Sequence, residues 1–379
     1  MKLAFLLAGF GFVASVFGQS QAGTDQIRPA LGIRVVTDEV LKLAVQLGVR
    51  DVVIYGGPAS GFVPGTSERL TTRRASYEQY LALRKRLEGY GIRLAAIEGG
   101  FVHSARYSDI VFGGPKRDEL IAELADEIRD MGRAGVPIYG YHWMPTLVWR
   151  TSPVKIRGAA NATAFDYEQV RHVRDRASCE EVRKKLNWFL ITCETIPDRR
   201  PTEEEMWNNL EYWIRKITPV AEQAGIRLGI HPDDPPVSEL AGVPRLMRNH
   251  SAYKRLIEIY PSASNAIEFC QGTFSEMTDD IYEAIRYFAS RDRILYVHFR
   301  NVSATVPSFH EEFINTGHVD MHRALRLYKE NGFRGVVIDD HVPMVAGDTE
   351  FPGNLGGYRG RMYTLGYIQA MLDVLAGGR

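Results

Sequence analysis

Residues of the types that bind metals follow four short apolar runs that are far apart in the chain. They are His231, Cys270, His298 and the pair Asp339 and Asp340. Imidazole nitrogen, thiolate and carboxylate are ligands of divalent metals, and a mixed set with open positions suits a metal that polarises a substrate. A lone histidine or cysteine at such a place is more often ordinary core, so the prediction of a metal site rests on the coincidence of four. In such a site Cys270 would be a deprotonated ligand.

Further polar and aromatic residues lie close to these candidate ligands in sequence. Arg300 is two residues past His298, so strand alternation sends both to the same side of a sheet, where the guanidinium could bind a carboxylate. His341 directly follows Asp340 and is a candidate for proton transfer. The other candidate substrate-binding residues are Asp233, Asn301, His310 and Trp143.

Two loop-like segments carry additional candidates. The segment 307–318 contains Glu311 and His318 as well as His310, and an exposed position explains each of them as well as a role in catalysis does. A segment from 347 to 360 is rich in glycine, contains a proline and carries Tyr358. Its composition is typical of a mobile cover over an active site.

Strand-like and helix-like patterns alternate along most of the chain, which predicts a (β/α)8 TIM barrel. The strand-like runs are 31–36, 51–55, 92–97, 136–141, 226–230, 265–269, 294–299 and 335–339. An open doubly wound sheet usually has a glycine-rich turn after its first strand, and Val36-Thr-Asp-Glu has none. The candidate ligands follow predicted strands five to eight, at the face where such barrels hold their active sites.

The stretch 143–201 interrupts this alternation and is predicted to be a long insertion after strand 4. It begins with aromatic residues, becomes polar and contains one helix-like stretch near 179–192. We expect residues 19–379 to form a single barrel domain that carries this insertion.

The N-terminus predicts export. Lys2 precedes an uncharged, mostly apolar run, and Val16-Phe17-Gly18 has the small residues of a signal-peptide cleavage site, so residues 1–18 would be removed and the protein would be periplasmic or secreted. The run is too short to span a membrane, and we expect no membrane association after cleavage. In an exported protein Cys179 and Cys193, 14 residues apart, can pair and leave Cys270 free.

The composition excludes several classes of protein. Hydrophobic residues make up 45% of the 379 residues and charged residues 24%, which are values of a globular protein and not of a disordered one. Lysine plus arginine and aspartate plus glutamate are balanced at 46 each, so bulk charge predicts no attraction to nucleic acid.

Several strings resemble the D-mannonate dehydratases of the xylose-isomerase-like barrel superfamily. They are His231-Pro-Asp-Asp-Pro-Pro, Phe269-Cys-Gln-Gly-Thr, Val297-His-Phe-Arg-Asn-Val and Asp340-His341, with further matches at Tyr141-His-Trp-Met-Pro, Gly317-His-Val-Asp-Met and Gly357-Tyr358. The resemblance extends over about residues 30 to 375. It implies a metal, Mn²⁺ or Fe²⁺, bound by His231, Cys270, His298 and Asp340. It also implies proton transfer by His341, taken as the acid, and Tyr358, taken as the base, with the exchange of these roles left open.

The activity implied by this resemblance is a lyase reaction on a small sugar acid. D-mannonate, or a related aldonate, would lose water across C2 and C3 and give 2-keto-3-deoxy-D-gluconate. The strand-8 string Ile338-Asp-Asp-His-Val departs from the family's Arg-Pro-Asp-His-Gly, which leaves the substrate open. Two alternatives remain at this point, namely a metal-dependent sugar isomerase or epimerase of the same superfamily and a non-catalytic exported sugar-binding protein. Assembly into a homo-oligomer is also left open.

Overall fold

Eight short apolar runs form parallel strands that close into a barrel in the computed structural model, which describes residues 26–57, 60–99, 107–186, 190–351 and 356–377. The described residues contain thirteen strands in all, of which eight form the barrel. They are β1 (Arg28–Ile33), β2 (Asp51–Tyr55), β3 (Arg93–Glu98), β4 (Ile138–His142), β5 (Ser152–Lys155), β6 (Asn161–Asp166), β7 (Arg227–His231), β8 (Glu239–Leu240), β9 (Val243–Pro244), β10 (Asn265–Cys270), β11 (Ile294–His298), β12 (Ser308–His310) and β13 (Val336–Ile338). The barrel order is β1-β13-β11-β10-β7-β4-β3-β2. The predicted TIM barrel is confirmed.

Most helices lie between successive barrel strands and bury one face in the main core, whereas α5 packs in a second apolar cluster and α11 follows the last strand. They are α1 (Asp38–Gln46), α2 (Tyr77–Glu88), α3 (Ser108–Phe112), α4 (Arg117–Arg133), α5 (Arg176–Leu186), α6 (Glu203–Ala224), α7 (His250–Ile259), α8 (Gln271–Glu276), α9 (Ile281–Ala289), α10 (Met321–Glu330) and α11 (Tyr358–Leu375). The helix α6 shows how the local sequence sets the bounds. Thr202 and Glu205 form a capping box at its start, and Gly225 ends it in the left-handed region at φ 70°.

The first strand begins three residues earlier than the sequence predicts. The apolar signal of Val36 belongs to the following loop, where this buried residue donates its N–H to the carbonyl of Gly65. The charged start of the strand is stabilised instead by an ion pair, since Nε of Arg28 lies 3.1 Å from Oδ2 of Asp51 on β2. Periodicity alone therefore places the start of this strand too late.

Between β4 and α6 the chain forms a layer of its own beside the barrel. The strands β5 and β6 pair in antiparallel fashion, and β12, from the loop after β11, adds to β6 as a third strand. A second apolar cluster lies under this layer and includes Trp149, Phe165, Val182, Ile196 and Phe309. The division of the chain into one barrel domain with an insertion at 143–201 remains a proposal.

A disulfide bond lies within this second cluster. Cys179 in α5 and Cys193 are bonded, with 5.5 Å between their Cα atoms, whereas Cys270 is a free, buried thiol. In the described parts of the chain, no helix is both long and apolar enough to cross a bilayer.

Candidate active site at the carboxyl rim of the barrel

Three of the predicted metal ligands lie together at the carboxyl ends of neighbouring strands. His231 is the last residue of β7, Cys270 of β10 and His298 of β11. Their ligand atoms all lie within 4.8 Å of one another. Parallel pairing produces this convergence, because β10 pairs with both β7 and β11 and brings Cys270 opposite His298. We call these three residues the rim cluster.

Asp340 adjoins the rim cluster, and Asp339 does not. Oδ2 of Asp340 lies 3.5 Å from Nδ1 of His298 and 4.0 Å from the sulfur of Cys270. Asp339 instead accepts a hydrogen bond from Nη1 of Arg361 at 2.7 Å. Asp340 has a φ of 41°, in the left-handed region that residues other than glycine seldom adopt. Backbone strain of this kind is typical of functional sites, where the surrounding contacts hold it in place.

Hydrogen bonds fix which nitrogen each histidine turns to the cluster. Nδ1 of His231 donates to the carbonyl of Pro232 at 2.7 Å, so Nε2 is the nitrogen that remains for the cluster. Nε2 of His298 lies 3.0 Å from Oε2 of Glu98 and 3.2 Å from Oε1 of Glu268. Nδ1 of His298 is buried and makes no hydrogen bond. A buried nitrogen without a hydrogen-bond partner, beside the Cys270 sulfur and the Asp340 carboxylate, is the arrangement that a metal would complete.

Charges around the cluster favour its anionic groups. Burial raises the pKa of the Cys270 thiol, but the Arg300 guanidinium and His231 outweigh burial and hold this pKa well below its usual range. Burial also raises the pKa of Asp340, and here His341 and His298 outweigh it, so that this pKa too lies well below its usual range. A thiolate and a carboxylate beside two imidazoles form a donor set that fits a divalent cation of the first transition row. Family and donor set together suggest a divalent metal.

Arg300 lies at the centre of a buried ion network beside the cluster. Each nitrogen of its guanidinium is hydrogen-bonded to protein groups at 2.9–3.2 Å, and the partners are Asp234, Thr273, Glu276, Glu311 and Asp340. The side chain is 1% exposed. The predicted substrate contact of Arg300 remains a proposal, and its donors are already in use in this structure.

Arg150 extends this network into the segment between β4 and α6. Its guanidinium donates to both carboxylate oxygens of Asp234, at 2.5 and 2.9 Å, and to Oε1 of Glu311 at 2.7 Å. The side chain is wholly buried. The neighbouring Asp233 points elsewhere, accepting from the N–H of Met247 at 2.6 Å and lying 3.3 Å from Arg245. Of the two aspartates that follow His231-Pro232, only Asp234 contacts the network.

The remaining candidate substrate residues have protein partners. The Asn301 amide donates to the carbonyls of Ile314 and Val319, at 3.3 and 2.9 Å. His310 lies in β12 with Nε2 3.2 Å from Oε1 of Glu312, and Trp143, just after β4, is 1% exposed. Their substrate roles, and that of Asp233, remain proposals.

The two candidate proton-transfer residues are placed differently. Nδ1 of His341 lies 3.0 Å from Oε1 of Glu311, and its Nε2 lies 3.8 Å from Oδ1 of Asp340, beside the rim cluster. Tyr358 begins α11, and its ring packs against Phe351 with centroids 4.9 Å apart. No described contact of Tyr358 joins it to the cluster, and residues 352–355 lie outside the described part of the chain.

Several residues that contact the site are not predicted from the sequence, because they do not lie at the ends of predicted strands five to eight. Tyr55 ends β2 and donates to Oδ1 of Asp340 at 3.5 Å, and Glu98 ends β3. Both follow the same rule as the predicted ligands, so the ends of strands two and three are the signal that identifies them. The sequence allows an exposed position for Glu311, yet this residue is 2% exposed. Its partners come from other elements, so no local pattern predicts its burial.

Comparisons with known proteins point to one family. The D-mannonate dehydratase (UxuA) family model matches residues 59–378. A mannonate dehydratase from Streptococcus pneumoniae (strain 70585) is 33% identical over 290 residues, which cover 73% of this chain and 77% of that one. Mannonate dehydratase 2 from Halalkalibacterium halodurans is 32% identical over 73% of this chain and 81% of its own.

Solved structures give the same result. The crystal structure of mannonate dehydratase from Streptococcus suis serotype 2 has a TM-score of 0.75 and 27% identity, and the match covers 93% of this chain and 95% of that one. A structure of L-ribulose 3-epimerase, at 13% identity and a TM-score of 0.54 over 92% and 95% of the two chains, shares the fold alone.

The prediction of an exported protein is wrong by these comparisons. The relatives that the chain matches are mannonate dehydratases, and this match disagrees with export. The N-terminal pattern on which the prediction rested, residues 1–18, lies outside the described residues. The match over the barrel and the rim, by contrast, agrees with the resemblance seen in the sequence. The chain is a hydro-lyase and belongs to the D-mannonate dehydratase family.

Proposed function

We propose that this enzyme removes water from D-mannonate, or from a closely related aldonate, with the help of a divalent metal, and releases a 2-keto-3-deoxy acid. Sugar-acid dehydration follows from the family. The observation that supports the metal is the approach of the ligand atoms of His231, Cys270 and His298 to within 4.8 Å of one another, with Asp340 beside them.

His231, Cys270, His298 and Asp340 would hold the metal. Each imidazole turns one nitrogen to the cluster, where a bound metal would replace a proton. The low pKa values of Cys270 and Asp340 favour their anionic forms. Thiolate and imidazole ligands favour a transition ion such as Fe²⁺ over Mg²⁺ or Ca²⁺, whereas Mn²⁺ is the ion that the family resemblance adds. When bound, such an ion polarises the carboxylate and hydroxyl oxygens of a substrate and makes the C2 proton more acidic.

The reaction needs one group that takes a proton from C2 and one that gives a proton to the departing C3 hydroxyl. The C2–H pair of electrons forms the new double bond, the C3–O bond breaks, and the hydroxyl leaves as water. The resulting enol then rearranges to the 2-keto acid. No external oxidant or reductant is required, because the loss of water balances the change.

His341 and Tyr358 are the proposed pair, and the contacts favour His341 as the base. Glu311 accepts a hydrogen bond from Nδ1 of His341, which leaves the lone pair of Nε2 free to take a proton. Burial and the Glu39 carboxylate raise the pKa of Tyr358, so its hydroxyl keeps a proton to donate at neutral pH. This order is the exchange of roles that the sequence leaves open.

The test is an assay of the purified protein loaded with Mn²⁺ or Fe²⁺ against D-mannonate and a panel of aldonates and aldoses. We expect a 2-keto-3-deoxy acid, and we expect His341→Ala and Tyr358→Phe to lower kcat by about 100-fold or more. His322→Ala and Tyr363→Phe are matched controls, because both residues lie on outer helices. A product that keeps all its oxygen atoms would indicate an isomerase or epimerase. Binding without turnover would indicate a sugar-binding protein.

A further inference from the structure

The imidazole of His341 is held by a carboxylate from a different loop. Oε1 of Glu311 lies 3.0 Å from Nδ1 of His341, and this carboxylate is 3% exposed. A carboxylate can only accept from Nδ1 of a neutral imidazole, so this contact selects one tautomer and one ring orientation. The nitrogen that remains available is Nε2, on the side of Asp340.

Glu311 is itself fixed by two arginines and by a strand. Arg150 donates to its Oε1 at 2.7 Å, and Arg300 donates to its Oε2 at 3.0 Å. The N–H of Glu311 donates to the carbonyl of Thr163 at 2.9 Å, which continues the pairing of β12 with β6. The position of this carboxylate therefore depends on the segment between β4 and α6.

Arg150 completes the connection from that segment to the barrel rim. Its bidentate contact with Asp234 fixes the guanidinium beside the end of β7. Planar arginine–carboxylate pairs of this kind specify geometry as well as energy. The chain of contacts runs from Asp234 through Arg150 and Glu311 to His341, and the arginine in it comes from outside the barrel strands.

We propose that Glu311 is a positioning residue for His341 and that Arg150 and β6 make the segment between β4 and α6 part of the catalytic machinery. This inference rests on the proposed function, in which His341 transfers a proton. A buried ion network can also exist without any role in catalysis, because such networks are often close to neutral in their net contribution to stability. The experiment must therefore separate positioning of the imidazole from support of the fold.

The central measurement is a double-mutant cycle between Glu311→Gln and His341→Ala in the metal-loaded enzyme. We expect Glu311→Gln to lower kcat by about 100-fold, with KM and bound metal nearly unchanged. This loss is smaller than the roughly 10⁴-fold loss that follows removal of the orienting carboxylate in a Ser-His-Asp triad. In the His341→Ala background the same substitution should lower kcat less than twofold further, because it acts through His341. Glu168→Gln, on an exposed turn next to β6, is the matched control.

Two further variants keep the inference testable if Glu311→Gln folds poorly. Glu311→Asp keeps the charge for both arginines but shortens the reach to His341, and Arg150→Lys keeps a charge but loses the bidentate contact. Both should lower kcat with metal content retained, as measured by elemental analysis, and with little change in thermal midpoint.

The outcomes separate the two proposals. An active wild-type enzyme whose Glu311→Gln and Glu311→Asp variants keep kcat within twofold would overturn the positioning role alone. If Glu311→Gln lowered kcat by the same factor in the His341→Ala background as in the wild type, the positioning role would be overturned as well, because the substitution would then act independently of His341. A wild-type enzyme that makes no 2-keto-3-deoxy acid would overturn the proposed function, and the positioning role with it.

Discussion

His298 turns its two nitrogens to different groups, with Nε2 3.0 Å from Oε2 of Glu98 and Nδ1 3.5 Å from Oδ2 of Asp340. A histidine that donates one N–H to a carboxylate is oriented for metal binding through the other nitrogen, and the carboxylate makes that nitrogen more basic. Glu98 would thus orient His298 for the proposed metal site from the side opposite Asp340.

Replacing Glu98 should weaken metal binding. We expect Glu98→Ala to raise the metal dissociation constant by about 10- to 100-fold, the usual effect of removing such a carboxylate. Competition with a chromophoric chelator measures this constant without reference to activity. Glu88→Gln, on the exposed face of α2, should leave the constant unchanged. Equal affinity in Glu98→Ala and wild type would contradict the orienting role.

Loss of the Cys270 sulfur should remove the metal. Because Cys270 is proposed as a thiolate ligand, Cys270→Ser should lose most of the stoichiometric first-row metal that wild type retains after dialysis. Elemental analysis gives the result directly. The double variant Cys179→Ser/Cys193→Ser removes the other two sulfurs and should keep its metal. Equal metal in Cys270→Ser and wild type would remove the basis of the metal proposal.

The stability of the fold should fall as the pH rises through neutrality because of Glu127. This residue is 1% exposed, and its Oε1 accepts from Tyr80 and from the N–H of Ala75, at 2.7 and 3.2 Å. Burial raises the pKa of Glu127 from 4.5 to about 7, so between these values the folded state binds more protons than the unfolded state. The stabilisation is full below about pH 4.5 and is lost as the pH rises through about 7.

The size of this effect can be measured by urea unfolding at pH 5 and pH 8. The Glu127 contribution to the free energy of unfolding should be roughly 2 to 3 kcal/mol smaller at pH 8. The side chain of Glu127→Gln is neutral at both pH 5 and pH 8, so the variant should lack this decrease in the free energy of unfolding. The titration of other groups is common to both proteins and cancels when the variant is compared with wild type. Parallel pH dependence in wild type and Glu127→Gln would show that this carboxyl titrates normally.

The disulfide should stabilise the layer beside the barrel. The bond between Cys179 and Cys193 closes a loop with a sequence separation of 14, for which about 3 kcal/mol is expected. Cys179→Ser/Cys193→Ser should therefore unfold at lower urea, and a protease should cut between 176 and 195 sooner. A reducing agent should have the same effect on wild type and none on the variant. Unchanged stability after reduction would contradict this.

The barrel and the types of the rim residues could be predicted from the sequence because both depend on local patterns. Alternating apolar runs fix the strands, and the ends of parallel strands meet at one face, so the chain positions of His231, Cys270 and His298 suffice to assign them to one site. The choice between Asp339 and Asp340 depended on family resemblance, since residues in a turn after a strand do not follow strand alternation. In the structure Asp340 contacts the rim cluster, whereas Asp339 binds Arg361.

The ion network could not be predicted because it joins segments that are distant in sequence. Arg150, Asp234 and Glu311 meet only when β12 adds to β6, and no periodicity marks a three-residue strand such as β12. Charged residues in loops usually face solvent, so this general tendency predicts an exposed side chain for Glu311, which is in fact buried. The sequence does not single out Asp234, which joins the network, whereas Asp233 contacts Met247 and Arg245.

The antiparallel pairing of β6 with β12 limits which insertions and deletions this enzyme can accept near these strands. Phe309 lies opposite Phe165, and side chains alternate between the two faces of the sheet, so a slip of one residue would turn the Glu311 carboxylate away from His341. Single-residue gains or losses between β11 and β12 should therefore be selected against during divergence. A designer who transplants this loop into another barrel would have to carry β5 and β6 along with it.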